Sequence, residues 1–60
     1  MIAKFYAWDT IAGRFSLVLS CIMGSAQYNT GIKNCVMKYA RGYIRVGDKT
    51  VFKWTWTGAV

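Results

Sequence analysis

The sequence contains no histidine, proline or glutamate, and Asp9 and Asp48 are its only acidic residues. Because the side chains that most often serve as general acids and bases are missing, we expect no enzyme. A structural zinc site needs four ligands, typically cysteine and histidine, and this chain has two cysteines. We therefore expect neither a metal nor another cofactor. The lack of proline and of linker-like segments indicates one small domain over 1–60.

Positive charge is abundant and unevenly placed. The formal net charge is +6, and residues 32–60 carry five of these six units. A basic half predicts an anionic partner, such as an anionic membrane surface, a nucleic acid or an acidic protein. The alternative, which the sequence leaves open, is that the charge only keeps an apolar chain soluble. The hydrophobic share of 55% is high for 60 residues. We therefore expect some apolar surface to stay exposed in a monomer and to favour self-association.

Apolar residues in the first half recur at helical spacing. Phe5, Trp8, Ile11, Phe15 and their successors up to Ala26 lie three and four positions apart, which predicts a helix over about 2–28. The longest run of apolar and small residues within it is only 12 residues, from 15 to 26. That run is shorter than the roughly 20 residues that cross a bilayer, so a spanning helix is not expected.

Turn residues at 29–31 separate this segment from a second helical pattern over about 31–41. Alternating apolar residues around Gly47-Asp48 then predict a β-hairpin over about 43–57. The predicted fold class is therefore α+β, with an N-terminal helical hairpin followed by a C-terminal β-hairpin.

Two cysteines lie fourteen positions apart, at Cys21 and Cys35. In the predicted helical hairpin they fall on adjacent helices with an offset of about 4.5 Å along the axis, which a loose turn can absorb. They are therefore a candidate disulfide. A bridge closing such a loop would stabilise the fold by about 3 kcal/mol. Two buried thiols are the alternative, and the sequence does not separate the two states.

The segment VFKWTWT, residues 51–57, has the alternation of a strand. Phe52, Trp54 and Trp56 share one face, and Lys53 lies on the other. Aromatic side chains on a basic sheet can stack bases or sit at a membrane interface. They can equally form the core beneath the helices, and in so short a chain we expect a core role for at least two of the three.

These features favour a membrane-active cationic miniprotein of the antimicrobial or bacteriocin kind, with a composition typical of small bacterial antimicrobial peptides. Anionic lipid would attract its basic half, and the aromatic amphipathic helix would insert. Such a protein would be secreted or extracellular. The predicted membrane or anion contacts are Lys4, Trp8, Lys33, Lys38, Arg41, Arg45, Lys49, Lys53, Trp54 and Trp56.

Two other functions remain open. One is a small nucleic-acid-binding or phage-type interaction protein that uses a basic aromatic β-hairpin with Arg45, Lys49 and Lys53. The other is a structural subunit of a filament or virion, in which exposed apolar faces become contacts between subunits. Either would place the protein in the cytoplasm or in a virion.

Overall fold

The computed structural model describes residues 1–55, which form a four-stranded antiparallel sheet with one helix on one of its faces. The sheet order is β2-β1-β3-β4. The protein is therefore mostly β, and the predicted helical hairpin followed by a β-hairpin is wrong. The elements are β1 (Ile2–Asp9), β2 (Arg14–Ile22), α1 (Ala26–Lys38), β3 (Arg41–Val46) and β4 (Lys49–Thr55).

The predicted helix over 2–28 is replaced by the β1–β2 hairpin, whose turn is built by Asp9 and Gly13. The Asp9 carboxylate accepts hydrogen bonds from the backbone N–H groups of Ile11 at 2.9 Å and Ala12 at 3.1 Å. Gly13 takes a φ of +70°, a left-handed conformation that glycine adopts without steric cost. An Asp side chain that binds the backbone ahead of it competes with helix formation, so the chain reverses here.

A β-bulge in β2 adds one step of three to the alternation of that strand. The pairing of β1 with β2 shifts between Phe5 and Tyr6, because Phe5 faces Leu19 and Tyr6 faces Leu17. Val18 is therefore the extra residue. Beyond it, Ser16 pairs with the buried Ala7, so side chains on the helix side of β2 are three positions apart at the bulge. A strand with such a step imitates the spacing of a helix face.

The helix begins earlier and ends earlier than the predicted range of 31–41. Ser25 is its N-cap, and the Ser25 hydroxyl accepts a hydrogen bond from the Tyr28 backbone N–H at 3.2 Å. A serine cap satisfies one of the free N–H groups of the first turn, which fixes the start at Ala26. At the other end Tyr39 is already extended, with φ −119° and ψ 140°. The helix has therefore ended before residue 41, where β3 begins.

The hairpin predicted over 43–57 corresponds to β3 and β4, but β3 begins at Arg41. The turn lies at Gly47-Asp48, where Gly47 has a φ of +66°. Beyond Thr55 the predicted strand lies outside the described residues. The hairpin is not a separate unit as predicted, because β3 also pairs with β1. This pairing joins both hairpins into one sheet.

The core lies between the sheet and α1. Ala3, Phe5 and Ile44 on the sheet are 0% exposed, and Cys35 of the helix packs on them. The helix approaches closely at Gly31, where a Cβ would lie 2.6 Å from Leu19 Cδ2 and 3.3 Å from the Phe5 ring. Small residues at such a crossing let two backbones come together. We call this side of the sheet the covered face.

Candidate functional site

The other side of the sheet carries aromatic and basic side chains. Because side chains alternate along a strand, the neighbours of buried Ala3, Phe5 and Ile44 point away from α1. We call this side the open face. It is formed by Ile2, Lys4, Tyr6 and Trp8 of β1, by Phe15, Leu17, Ser20 and Ile22 of β2, by Arg41, Tyr43 and Arg45 of β3, and by Thr50, Lys53 and Thr55 of β4.

Four aromatic rings of the open face form a continuous cluster. Tyr6 and Tyr43 are cross-strand partners and stack with centroids 5.0 Å apart and an interplanar angle of 19°. Phe15 packs edge-to-face on Tyr43 at 5.0 Å and on Trp8 at 5.1 Å. Such pairs each contribute about 0.5–1.5 kcal/mol beyond area burial. The rings are therefore held in place before any ligand arrives.

Arg41 lies directly on this cluster. Its guanidinium carbon is 4.6 Å from the centroid of the Trp8 ring and 5.5 Å from that of Phe15. Cation–π contact of this kind is worth about 0.5–1 kcal/mol at an exposed site. A guanidinium that lies on a ring keeps its N–H edge available for an external acceptor.

The charge of the open face has little compensation. Lys4, Arg41, Arg45 and Lys53 all project from it, and the whole chain offers two carboxylates. The Asp9 carboxylate is already bound to the backbone of the β1–β2 turn. The open face therefore combines fixed aromatic surface with net positive charge, an arrangement that can hold anions that carry flat rings.

The structure brings together five of the ten predicted contact residues, namely Lys4, Trp8, Arg41, Arg45 and Lys53. Lys33 and Lys38 lie on α1, across the sheet from the open face. Lys49 begins β4 beside the turn. Trp56 lies outside the described residues.

Trp54 has a structural position instead. It is 8% exposed and belongs to the core, and its indole Nε1–H donates to the Tyr39 carbonyl oxygen at 3.0 Å. That bond ties β4 to the end of α1. Phe52 is on the same side of β4 and remains partly exposed at the margin of the sheet. The aromatic alternation of 51–57 thus serves the core at Trp54.

Three aromatic residues of the open face were not predicted from the sequence as contacts: Tyr6, Phe15 and Tyr43. The signal was present in the spacing of two short segments. Lys4, Tyr6 and Trp8 alternate, and so do Arg41, Tyr43 and Arg45. Read as strands, each segment places its basic and aromatic residues on one face, whereas a helical interpretation separates them.

The two cysteines both belong to the core, Cys21 on β2 and Cys35 on α1. Both are free thiols in this structure. Burial raises the pKa of the Cys35 thiol, while the charge of Lys38 acts in the opposite direction. The candidate disulfide now connects a strand to the helix rather than two helices, and it stays a prediction.

The residues 1–55 contain no cluster of three His, Cys, Asp or Glu side chains and no helix long and apolar enough to cross a membrane. No protein-family model, curated protein or solved structure matches this chain. The function is therefore inferred from the open face.

Proposed function

We propose that the protein binds single-stranded nucleic acid on its open face. The observation that carries this proposal is the contact of Arg41 with Trp8 beside the stacked Tyr6–Tyr43 pair. Proteins that bind single strands without sequence preference combine a basic groove for the backbone with aromatic rings for the bases. Each stacked base contributes about 1–3 kcal/mol.

Stability alone explains only part of the open face. Cross-strand aromatic pairs stabilise a sheet by about 0.2–1 kcal/mol, so Tyr6 and Tyr43 could serve the fold. Arg41 gains its cation–π contact with Trp8 from that role. Lys4, Arg45 and Lys53 gain nothing from it, because like charges on one surface repel one another. A polyanion with flat bases satisfies both groups of side chains at once.

The test is a titration with a mixed-sequence single-stranded oligonucleotide, followed by tryptophan emission at several salt concentrations. We expect the oligonucleotide to quench the emission of Trp8, so Trp8→Phe should remove this quenching. Trp54 lies in the core, and its emission should not respond. Each phosphate contact on a single strand lowers the slope of log K against log salt by about 0.7, so four cations predict a slope of about −3. Binding that ignores salt would contradict the proposal.

Matched variants separate stacking from folding. Tyr43→Leu removes a ring from the open face and should weaken binding about 5- to 150-fold, the range of one stacked base. Lys33→Gln lies on α1 and should lower affinity far less. Equal losses from the two variants, with both proteins folded by circular dichroism, would show that the open face is not the binding surface.

A membrane function is the second candidate, and one observation favours it. Leu17 is 53% exposed and borders the aromatic cluster, and Ile22, which is 60% exposed, lies on the open face beyond the row of Ser20 and Lys4. Tryptophan and basic residues beside apolar side chains suit the interface of an anionic bilayer, where each cation gains about 1 kcal/mol. In this form the sheet, not a helix, would contact lipid. A blue shift of Trp8 emission with anionic vesicles, and no response to oligonucleotide, would favour this candidate.

A further inference from the structure

Side chains of the open face are arranged in rows that run across the strands. Neighbouring rows are two residues apart along β1, about 6.7 Å. One row, which we call the cationic row, consists of Ser20, Lys4, Arg45 and Thr50. The next row consists of Leu17, Tyr6, Tyr43 and Lys53. Polar groups that bind an anion thus lie one row from the stacked rings.

The centre of the cationic row places two positive charges side by side. Lys4 and Arg45 are direct cross-strand partners on β1 and β3. Such partners have Cβ atoms about 5 Å apart, and like charges in these positions destabilise a sheet. Asp48 lines one groove together with Lys4 and Arg45, but it offers one carboxylate for two cations. The arrangement lacks the negative charge that would balance it.

Arg45 also carries an unmet hydrogen bond. Its Nε–H is buried and has no acceptor among the described residues. A buried donor without a partner is costly, and more so on a charged group. Turning the Nε edge of the guanidinium toward an outside oxygen therefore breaks no hydrogen bond and gains one.

We propose that Lys4 and Arg45 form a phosphate-binding site, which holds the backbone of the strand whose bases stack on Tyr6 and Tyr43. This inference rests on the proposed function and specifies how the nucleic acid lies on the sheet. Its phosphate binds at the cationic row, and its bases stack one row away. A guanidinium binds two phosphate oxygens through a planar fork, while the ammonium acts as a point charge. The Thr50 hydroxyl, opposite Arg45, lies in the same row.

The first test uses inorganic phosphate alone. In nitrogen-15 spectra we expect the Nε–H resonance of Arg45 to shift with added phosphate, and that of Arg14, at the far end of β2, to stay in place. Lys4→Gln should weaken the response of Arg45. Equal shifts at Arg45 and Arg14 would overturn the site.

The second test compares two double variants with the same loss of charge. Lys4→Gln with Arg45→Gln should reduce the salt slope of oligonucleotide binding by about 1.4, the value for two phosphate contacts. Lys33→Gln with Lys38→Gln, on α1, should leave the slope near its original value. Arg45→Lys keeps the charge and removes the fork, so it should retain the slope. Equal slopes for the two double variants would overturn the site.

These measurements distinguish failure of the site from failure of the proposed function. If the oligonucleotide binds and quenches Trp8, but both double variants behave alike, the phosphate site is wrong and the function stands. If Arg45 responds to phosphate but no oligonucleotide binds, the site stands and the proposed function is wrong. If the Lys4 and Arg45 double variant does not fold, the phosphate titration of the original protein and of Lys4→Gln decides.

Discussion

The covered and open faces of the sheet are built from alternate residues of the same strands, yet their chemistry differs. On β1 the covered face presents Ala3, Phe5 and Ala7, all essentially inaccessible to solvent. The open face of the same strand presents Lys4, Tyr6 and Trp8 in the intervening positions. The covered face is apolar and partly small because a helix must pack on it. The open face has no such constraint, and it carries rings and cations.

Substitutions on the two faces should have different effects. Removing a side chain from the covered face should lower stability and affect binding only through unfolding. Removing one from the open face should weaken binding while the protein stays folded. A domain of this size has a small margin of stability, so the covered face should be the more sensitive to truncation.

The largest effect is expected from Phe5→Ala. Phe5 is fully buried and makes an edge-to-face contact with Tyr28 of α1 at 5.7 Å. Truncation of a buried phenylalanine costs about 3–5 kcal/mol, a large part of the stability of a domain of this size. We expect the variant to be largely unfolded in urea denaturation followed by circular dichroism. Tyr6→Ala, one position along β1, is the control and should remain folded with weakened oligonucleotide binding. Similar losses of stability from both would show that the two faces do not differ as described.

A smaller effect is expected where the covered face admits no side chain. A Cβ at Gly42 would clash with the ring of Trp54 and lie 2.5 Å from the Tyr6 carbonyl oxygen. Because both contacts are too short and one of them is to backbone, Gly42→Ala must displace β1 as well as the indole. Overpacking of this kind costs about 1–3 kcal/mol.

The measurement for Gly42→Ala is the midpoint of urea denaturation, with Trp54 emission as a second probe. If the indole moves, its hydrogen bond to Tyr39 is lost and the emission shifts to the red. Gly42→Ala combined with Trp54→Phe is the comparison, because the smaller ring relieves the clash with the indole and leaves only the clash with the Tyr6 carbonyl oxygen. An unchanged midpoint in the single variant would contradict the tight packing of this strand pair.

The C-terminal half was easier to predict from sequence than the N-terminal half, for physical reasons. At Gly47-Asp48 the turn is short, and the strand period is visible on both sides of it apart from one shift in the pairing of β3 with β4 between Ile44 and Arg45. In the N-terminal half both faces of β1 carry large apolar side chains, which hides the period of two. The bulge at Val18 then adds a step of three. Asp9 and Gly13 marked the turn, but a helical pattern suggested that the chain continued through it.

The candidate site was predictable in its charge and not in its geometry. Arg41 and Arg45 are visible as basic residues in any sequence, so the anionic partner could be inferred. That Tyr6 and Tyr43 stack depends on the pairing of β1 with β3, strands about 35 residues apart in the chain. Local patterns do not specify such a pairing. The sequence leaves Trp54 open to a role in the core and a role as a contact residue. It does not show which side of β4 packs against Gly42 and is buried.

The smallest effect concerns the thiol in the covered layer and its dependence on pH. Burial raises the pKa of Cys35 above its ordinary value of 9.0, with Cys21 adding to the rise. In the unfolded chain the thiol loses its proton near that ordinary value, while the folded protein still holds it. The folded state then binds more protons, so the free energy of unfolding is unaffected below about pH 9 and decreases above it. One proton limits the decrease to about 1.4 kcal/mol per pH unit.

The measurement is urea denaturation from pH 7 to 10 with reductant present, compared with Cys35→Ala. The decrease should be steeper in the protein with Cys35, because lysine and tyrosine titrations are common to both. Parallel curves would mean that the thiol ionises as readily inside the layer as outside it, and that the covered face is open to water at this point.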